Sequence, residues 1–401
     1  MLQPLLSSAQ SKTALEGLVI ADFSRVLAGP YLTMLLGDLG ATVIKVESAE
    51  GDQTRGWGPP WRNGHSTYFQ AVNRNKRSVV LDLRDPDDQA LAAELARRSD
   101  VLIENFLPGR MRSFGLDYET VSAANPGVVY CSLTGFGSQP GAADLQGFDL
   151  VAQAVGGLMS VTGQNDGPPM KVGVALVDVL CGLHAGLGIL AALAARSRLG
   201  RGQLVEVNLL TSALSALTNQ SAAYLMAGVV PGRTGNAHPS VAPYEVFETA
   251  DGSIVVAAGT EPQFTRLCQC LGIERVAADP RFATNADRVA HREEMREILL
   301  TALAGFTSAQ AVVLMRKAGV PAGPVNDMAG AFDLAGQLEL EATWMIDGVD
   351  HMRAPMTMSL TPPRPYSPPP ELDEMGDDIR RWLGSPMAAG GAINHGATAG
   401  R

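Results

Sequence analysis

The feature that most constrains the fold of this 401-residue chain is an alternation of short apolar runs with helical patterns in its first part. Strands that alternate with helices form a mostly parallel sheet with helices on both faces, so the pattern predicts a doubly wound, Rossmann-like α/β domain. Ligands of such sheets bind at the carboxyl ends of strands, which favours Asn105, Phe106 and the 134–137 turn as positions for chemistry. The runs interpreted as strands are 18–23, 41–46, 78–83, 101–105 and 128–133.

The pattern changes after about residue 230. Two alternating runs flank Ala250-Asp251-Gly252, which predicts a β-hairpin, and amphipathic helices are predicted over 263–271 and 292–318. These elements indicate a smaller α+β domain. The predicted division is 1–225 for the N-terminal part of a large domain, 226–325 for the small domain, 326–385 for a return to the large domain and 386–401 for a disordered tail.

The composition limits the classes of protein to consider. The chain is 46% hydrophobic and 18% charged, with a formal net charge of −10, so it has the material for a large core. The acidic balance argues against a general nucleic-acid or membrane-surface binder, and a polyanionic ligand has to be held by a local basic patch. Four cysteines give no disulfide framework and no zinc-ligand spacing, and the N-terminus does not resemble a signal peptide. We therefore expect a cytoplasmic protein.

One apolar stretch, 172–195, is long enough to span a bilayer. It contains Asp178 and His184, and an ionised aspartate in hydrocarbon would cost several kcal/mol. We interpret the stretch as a short extended piece followed by a buried helix, and we expect no membrane insertion.

Asp178 stands out because it lies within that apolar stretch. Acidic side chains are rarely buried without a partner, since removing a carboxylate from water is costly. Aspartate is a favoured helix N-cap and a predicted helix follows directly, so capping is the first interpretation. A reactive carboxylate is the second. The two are compatible, because a helix N-terminus favours negative charge and would keep the carboxylate ionised and nucleophilic.

Most short catalytic motifs are missing. The sequence contains no nucleotide P-loop, no HExxH or paired-histidine pattern and no GxSxG elbow, so we expect no metal site. The glycine-rich 135–141 segment is a candidate for presenting backbone N–H groups to an oxyanion. A set of basic residues fits either phosphate binding or an ordinary solvated face: Arg74, Lys76, Arg77, Arg84, Arg110 and Arg112.

Several ordered blocks resemble the family III CoA-transferases, the CaiB/BaiF family, over about residues 14–375. The matching blocks are 15–30, 36–47, 51–55, 75–78, 104–109, 157–163 and 167–178. The resemblance implies that Asp178 is the nucleophile, forming aspartyl anhydride and aspartyl-CoA thioester intermediates. It also implies an interlocked homodimer, acyl-CoA and carboxylic acids as substrates, and no permanently bound cofactor.

The resemblance further implies which residues line the CoA and acyl site. They are Val26, Leu27, Ala28, Leu81, Asp82, Leu83, Arg84, Asn105, Phe106, Leu107, Gln146, Gly147, Phe148 and Asp149. Two arginines that help to hold CoA in the formyl-CoA transferase branch correspond here to Ser48 and Ser113, and Arg110 or Arg112 is the expected replacement. That branch's run of consecutive glycines over the reacting thioester is missing.

The same family contains α-methylacyl-CoA racemases, which are the alternative function. Their signature is Gly-His-Asp, with the histidine as an acid/base group, whereas this chain has Gly147-Phe148-Asp149. Phenylalanine transfers no proton, so the sequence favours CoA transfer.

Within the family, blocks 57–60, 66–69, 73–77 and 235–238 are similar to succinyl-CoA-dependent dicarboxylate CoA-transferases, including the glutarate type. A dicarboxylic acyl group leaves one free carboxylate, which an arginine fork pairs well. The substrate candidates are Arg25, Arg55, Arg74 and His238.

Overall fold

The computed structural model describes residues 13–142 and 144–386, so the predicted tail, 386–401, lies outside them except for Pro386. The strands are β1 Val19–Asp22, β2 Thr42–Glu47, β3 Trp61–Arg62, β4 His65–Ser66, β5 Lys76–Val80, β6 Val101–Glu104, β7 Val129–Thr134, β8 Leu204–Asn208, β9 Tyr244–Glu248, β10 Ser253–Ala257, β11 Ala322–Pro324, β12 Thr343–Ile346 and β13 Val349–Met352. The helices are α1 Ala28–Asp38, α2 Thr67–Val72, α3 Pro86–Arg98, α4 Tyr118–Ala124, α5 Asp149–Val155, α6 Leu158–Val161, α7 Leu176–Leu199, α8 Leu209–Ala216, α9 Thr218–Ala227, α10 Glu261–Cys270, α11 Glu274–Ala277, α12 Asn285–Ala290, α13 Arg292–Leu303, α14 Ser308–Lys317, α15 Met328–Gln337 and α16 Gly376–Gly384.

The larger unit of the chain is built on a six-stranded parallel sheet with the order β5-β2-β1-β6-β7-β8. Taken in chain order, these strands are arranged 3-2-1-4-5-6, which is the dinucleotide-fold arrangement. The predicted parallel, Rossmann-like sheet is confirmed. The chain reverses its direction of travel across the sheet between β1 and β6, and the crevice outside their carboxyl ends is where such folds bind ligands.

Helices cover both faces of this sheet because successive strand residues point to opposite sides. Ile20 and Val101 belong to one buried cluster, with residues of α1 and α7. Their neighbours Ala21 and Leu102 belong to a second cluster, with residues of α3 and α16. Strands β1, β6 and β7 are therefore mostly apolar, which is typical of a parallel sheet buried on both faces.

The strand that was predicted over 78–83 is β5, which runs from Lys76 to Val80. Its first residue is a lysine with a fully buried ammonium, which donates to Asp22 Oδ2 at 3.2 Å. Because lysine is almost never buried without a partner, the local sequence gave no sign that a buried strand begins at Lys76. The strand ends early because the Asp82 N–H leaves the sheet and donates to Asp88 at 2.8 Å.

Residues near the C-terminal end of the described chain contribute to the larger unit. Of the described residues, that unit comprises those up to Leu158, those of Val172–Leu225 and those from Glu341 on. Ile379 and Leu383 of α16 pack in the same core cluster as Leu95 of α3.

The smaller unit comprises Met159–Lys171 and Met226–Leu340, and it contains the antiparallel sheet β11-β10-β9. These bounds differ from the predicted 226–325. The Gly235 N–H donates to the Gly163 carbonyl at 3.1 Å, and Arg233 Nε donates to the Gln164 carbonyl at 3.2 Å. Such contacts between distant segments leave no local sequence pattern. The predicted 292–318 helix is two helices, α13 and α14, separated by a turn.

Candidate active site

A cavity of about 240 Å³ lies outside the carboxyl ends of β1, β6 and β7, at the reversal point of the sheet. Asn105, Phe106 and the 134–137 turn were predicted to lie at such an edge, and all three positions contribute to the lining. The complete lining is Arg25, Ala28, Asn105, Phe106, Leu107, Pro108, Leu133, Thr134, Gly135, Gly137, Leu145, Gln146, Gly147, Phe148, Asp178, Cys181 and Leu209.

Asp178 lies in the first turn of α7, two residues after the first helical residue Leu176. It is therefore not the N-cap, and the capping interpretation is wrong. Asp149 supplies the missing cap from another segment: its Oδ1 accepts the N–H groups of Val177 at 2.8 Å and Asp178 at 3.2 Å. The Asp178 carboxylate is left without a donor or ion-pair partner among the described residues, which frees it to face the cavity.

The electrostatic environment raises the pKa of Asp178 to about 7, first through burial and second through the neighbouring charge of Asp149. The helix N-terminus was expected to keep this carboxylate ionised, and burial acts against that effect. A nearly neutral pKa still leaves a large ionised fraction at physiological pH. The same features raise the reactivity of the anion, because it is poorly solvated and unpaired.

Asp149 is itself held in place by Gln153, a fully buried residue one turn further along α5. Gln153 Nε2 donates to Asp149 Oδ2 at 2.6 Å, and Gln153 Oε1 accepts the Val172 N–H at 2.9 Å. This chain of hydrogen bonds fixes the extended segment before α7. Asp149 was predicted to line the site, but it lies at the first turn of α7 and outside the cavity lining.

Two glycines bring separate loops into contact at the cavity. A Cβ atom on Gly135 would lie 2.4 Å from the Gly147 Cα, and one on Gly147 would lie 2.2 Å from the Gly135 Cα. Any larger residue at either position would force the loops apart. The Gly137 N–H, a candidate for holding an oxyanion, instead donates to Thr134 Oγ1 at 2.9 Å.

A second cavity, of about 530 Å³, is lined in part by sequence neighbours of Ala28 and Asp178. Leu27 and Val179, next to those residues in sequence, line it. Tyr68 also lines it, and burial followed by the charge of Asp178 raises the pKa of Tyr68 to about 12, so its hydroxyl stays protonated. The full lining is Leu27, Tyr31, Met34, Leu35, Tyr68, Ala71, Val72, Arg74, Gly173, Val174, Ala175, Val179, Met352, Arg353 and Pro355.

The remaining predicted residues are placed as follows. Leu81 is buried in the core, Leu83 packs against it, and Asp82 and Arg84 form a surface ion pair. Val26 and Arg110 lie outside the lining of the first cavity. Arg55 lines neither cavity: its guanidinium donates to both carboxylate oxygens of Glu47 and stacks on Phe69. His238 belongs to the smaller unit, where its ring contacts Tyr244.

Sequence reasoning missed several lining residues. Cys181 and Leu209 line the first cavity, and Tyr31 and Arg353 line the second. Cys181 lies three residues after Asp178, so helical spacing alone places it on the same face of α7. Arg353 left no such signal, because it comes from the distant C-terminal segment.

Comparison with known proteins decides the family. The family model described as CoA-transferase family III matches residues 15–375. The chain belongs to the family III CoA-transferases. It is 43% identical to the succinate–glutarate CoA-transferase of Agrobacterium fabrum, over 90% of this chain and 94% of that protein. It is 42% identical to the succinyl-CoA:glutarate CoA-transferase of Homo sapiens, over 79% of this chain and 73% of that protein.

A solved CaiB/BaiF family protein from Brucella suis has the same fold, with a TM-score of 0.85 and 40% identity. The match covers 93% of this chain and all of that structure. The enzyme described here is thus a CoA-transferase, and the cavity with Asp178 is its candidate active site.

Proposed function

We propose that this CoA-transferase moves CoA from succinyl-CoA to glutarate or a similar dicarboxylic acid, with Asp178 as the nucleophile. The observation that carries the proposal is the unpaired Asp178 carboxylate in a cavity at the reversal point of the sheet. Relatives named as succinate–glutarate and succinyl-CoA:glutarate CoA-transferases support the choice of acids. Phe148 lines the same cavity with 55% of its surface exposed and provides no proton-transferring group, which favours transfer over racemisation.

The reaction proceeds in four balanced steps. The Asp178 carboxylate attacks the thioester carbonyl of the donor and expels CoA thiolate, which leaves a mixed anhydride. The thiolate attacks the aspartyl carbonyl, so an aspartyl-CoA thioester forms and the donor acid leaves. The acceptor carboxylate then attacks this thioester, giving a second anhydride and CoA thiolate. Attack of the thiolate on the acceptor acyl carbonyl releases the product thioester and restores Asp178.

Both intermediates are hydrolysed if water reaches them, so the surroundings of Asp178 have to be apolar. Ala28, Leu133, Cys181 and Leu209 line the cavity with apolar surface. Because these side chains offer no charge to the carboxylate, they also keep it reactive. Exclusion of water and activation of the nucleophile thus have the same structural cause.

Arg74 is the candidate that supports recognition of a second substrate carboxylate. Its Nε and Nη2 donate to the two carboxylate oxygens of Asp38 at 2.9 and 2.6 Å, and the side chain is only 1% exposed. Its Nη1 is buried without a hydrogen-bond partner among the described residues, while Arg74 lines the second cavity. An unsatisfied buried N–H is costly, and the distal carboxylate of a dicarboxylic acid would satisfy it.

The proposal includes an interlocked homodimer. Helix α7 packs one side into the core, through Val177, Cys181 and Ala185, yet its outer side is also apolar. Leu183, Leu187 and Leu190 form a stripe on that outer side, and Leu187 is 70% exposed. Among the described residues this helix, Leu176–Leu199, is long and apolar enough to span a bilayer by length and composition. A second copy of the chain on the outer stripe would bury it without a membrane.

The experiment that tests the function is mass spectrometry of the protein after incubation with succinyl-CoA. We expect a CoA adduct on Asp178, its conversion to a hydroxamate by hydroxylamine, and its loss in Asp178→Asn. Asp178→Asn should also lose transfer to glutarate while retaining the wild-type thermal midpoint or a higher one. Transfer by the wild-type enzyme without any adduct would contradict the mechanism. Proton exchange at the α-carbon in deuterated water without an acceptor acid would indicate the racemase alternative.

A further inference from the structure

The hairpin of β12 and β13 brings a second arginine to the second cavity. Arg353 directly follows β13, and its N–H donates at 2.9 Å to the carbonyl of Ala342, the residue before β12. Arg353 lines the cavity together with Arg74, which comes from the loop before β5. Two guanidinium groups from distant parts of the chain therefore line one cavity.

A single tryptophan contacts both arginines. The guanidinium carbon of Arg74 lies 5.5 Å from the centre of the Trp344 ring, and that of Arg353 lies 5.8 Å from it. Trp344 packs against a small buried cluster that includes Met34 and Leu35 of α1. The hairpin is thus attached to α1 through its tryptophan, and cation–π contacts hold both guanidinium groups at the cavity.

The two arginines differ in how firmly their charges are paired. Arg74 is bound by the buried Asp38, and its Nη1 has no hydrogen-bond partner among the described residues. Arg353 forms an ion pair with Glu341, whose side chain is 80% exposed, and no other carboxylate among the described residues pairs with Arg353. An ion pair with an exposed carboxylate contributes little to stability, because water competes for both groups. A ligand carboxylate can therefore replace Glu341 at little cost, whereas the buried Asp38 stays in place.

The rest of the cavity wall is mostly apolar, with Leu27, Val72 and Val179 among its lining residues. A carbon chain that ends in a carboxylate matches this combination. The chain would contact the apolar wall, and the carboxylate would accept from Nη1 of Arg74 and from the guanidinium of Arg353. An acid with an apolar end would leave the buried Nη1 unsatisfied, which is costly.

We propose that Arg353 is a specificity-determining residue, which binds the distal carboxylate of a dicarboxylic acid together with Arg74 and exchanges Glu341 for it. The inference rests on the proposed transfer of CoA between dicarboxylic acids. It adds to that function a second cation and a carboxylate of the protein that competes with the substrate. Loss of the Arg353 charge should therefore weaken the selection of dicarboxylic acids, and loss of the Glu341 charge should strengthen it. An ion pair with a purely structural role would not give opposite signs.

The test is a competition between two acceptors of equal chain length, glutarate and pentanoate, with succinyl-CoA as the donor. Both acids react with the same aspartyl-CoA thioester, so the ratio of glutaryl-CoA to pentanoyl-CoA does not depend on the donor half of the reaction. Arg353→Met removes the cation and should lower this ratio about tenfold. Glu341→Gln removes the competing charge at an exposed position and should raise the ratio about threefold.

The matched controls come from an exposed ion pair of the smaller unit, Arg281 with Glu294. Arg281→Met and Glu294→Gln should leave the product ratio within about 1.5-fold of wild type. An unchanged ratio in Arg353→Met, or a ratio that does not rise in Glu341→Gln, would overturn the proposal.

Thermal unfolding in the presence of each free acid makes the same test without turnover. Glutarate should raise the thermal midpoint of the wild-type protein more than pentanoate does, and Arg353→Met should abolish that difference. This result in an enzyme that transfers CoA to no acid would refute the proposed function alone. Transfer by the wild-type enzyme without any preference for glutarate over pentanoate would overturn the inference alone.

Discussion

At the scale of single residues, the site depends on two carboxylates with different tasks. Asp178 is unpaired and faces the cavity, whereas Asp149 accepts the N–H groups at the start of α7 and is held by Gln153. Burial and the charge of Asp149 together raise the pKa of Asp178 to about 7. In the proposed mechanism the ionised form of Asp178 is the nucleophile, so activity should follow its titration.

We expect kcat/KM for the donor thioester to fall about tenfold per unit below pH 7, because protonated Asp178 cannot attack. Asp149→Asn keeps an oxygen that accepts the two N–H groups but removes the neighbouring negative charge. The pKa of Asp178 should therefore fall, and the acid limb of the pH–rate profile should move to lower pH. Initial rates from pH 5 to 9 for both enzymes make the measurement. An acid limb that stays in place would show that Asp149 acts by capping alone.

Arg74 is expected to determine the preference for dicarboxylic acids. Arg74→Lys keeps a cation beside the buried Asp38 but loses the fork and its unsatisfied Nη1. The ratio of kcat/KM for glutarate over pentanoate, a monocarboxylic acid of equal chain length, should fall about tenfold. Rates with the two acceptors at fixed succinyl-CoA provide the ratio. An unchanged ratio at an unchanged thermal midpoint would remove Arg74 from acid recognition.

At the scale of elements, a buried ion pair holds the turn between β1 and α1. Lys45 Nζ donates to Asp52 Oδ2 at 2.9 Å and to the Ser24 carbonyl at 3.0 Å, while Asp52 Oδ2 accepts the Val26 N–H at 3.2 Å. Val26 has a φ of +72°, a strained value for a β-branched residue. The turn thus keeps an unfavourable backbone conformation beside Arg25 because a buried pair fixes both of its sides.

Removing the charge of Asp52 should destabilise the protein strongly. Burial opposes ionisation of Asp52, but Lys45 and the Thr54 hydrogen bonds outweigh it and lower its pKa to about 2. Asp52→Asn leaves Lys45 buried and unpaired, which should cost about 3 kcal/mol of unfolding free energy at pH 7. The benefit of the carboxylate is present above its unfolded pKa of 3.8 and is lost as pH falls toward 2.

Urea unfolding of Asp52→Asn measures this loss, with Glu119→Gln as a control in an exposed ion pair. The control should change the free energy by less than about 0.5 kcal/mol. If Asp52→Asn behaves like the control at pH 7, the buried pair does not stabilise the turn.

At the scale of the whole molecule, the apolar outer stripe of α7 predicts a dimer. Light scattering after size exclusion should give twice the 42.1 kDa mass of one chain. Leu187→Glu places a charge at the most exposed position of the stripe. Because burying that charge in an interface is costly, the variant should elute as a single chain. A wild-type protein that elutes as a single chain at micromolar concentration would contradict the dimer.

The local sequence determined the parallel sheet and the start of the helix Pro86–Arg98, where Asp85 is the N-cap and Pro86 lies in the first turn. Both follow from the order of apolar runs, helical periods and caps, which are local features of the sequence. The position of Asn105 and Phe106 at a strand end could be predicted for the same reason. Asp178 could be singled out as a costly carboxylate, and the block around it, by its resemblance, suggested the chemistry.

Only the tertiary structure decided what each polar group does. In the structure Asp149, and not Asp178, caps α7. Arg55 forms an ion pair with Glu47, and Arg74 forms one with Asp38. The structure also showed that Arg112 is paired while Arg25 and Arg110 flank a pair of aromatic rings. The physical reason is that hydrogen bonds and ion pairs depend on distances of about 3 Å between segments far apart in the chain. Periodicity and composition report which face a residue lies on, but not which distant partner it meets.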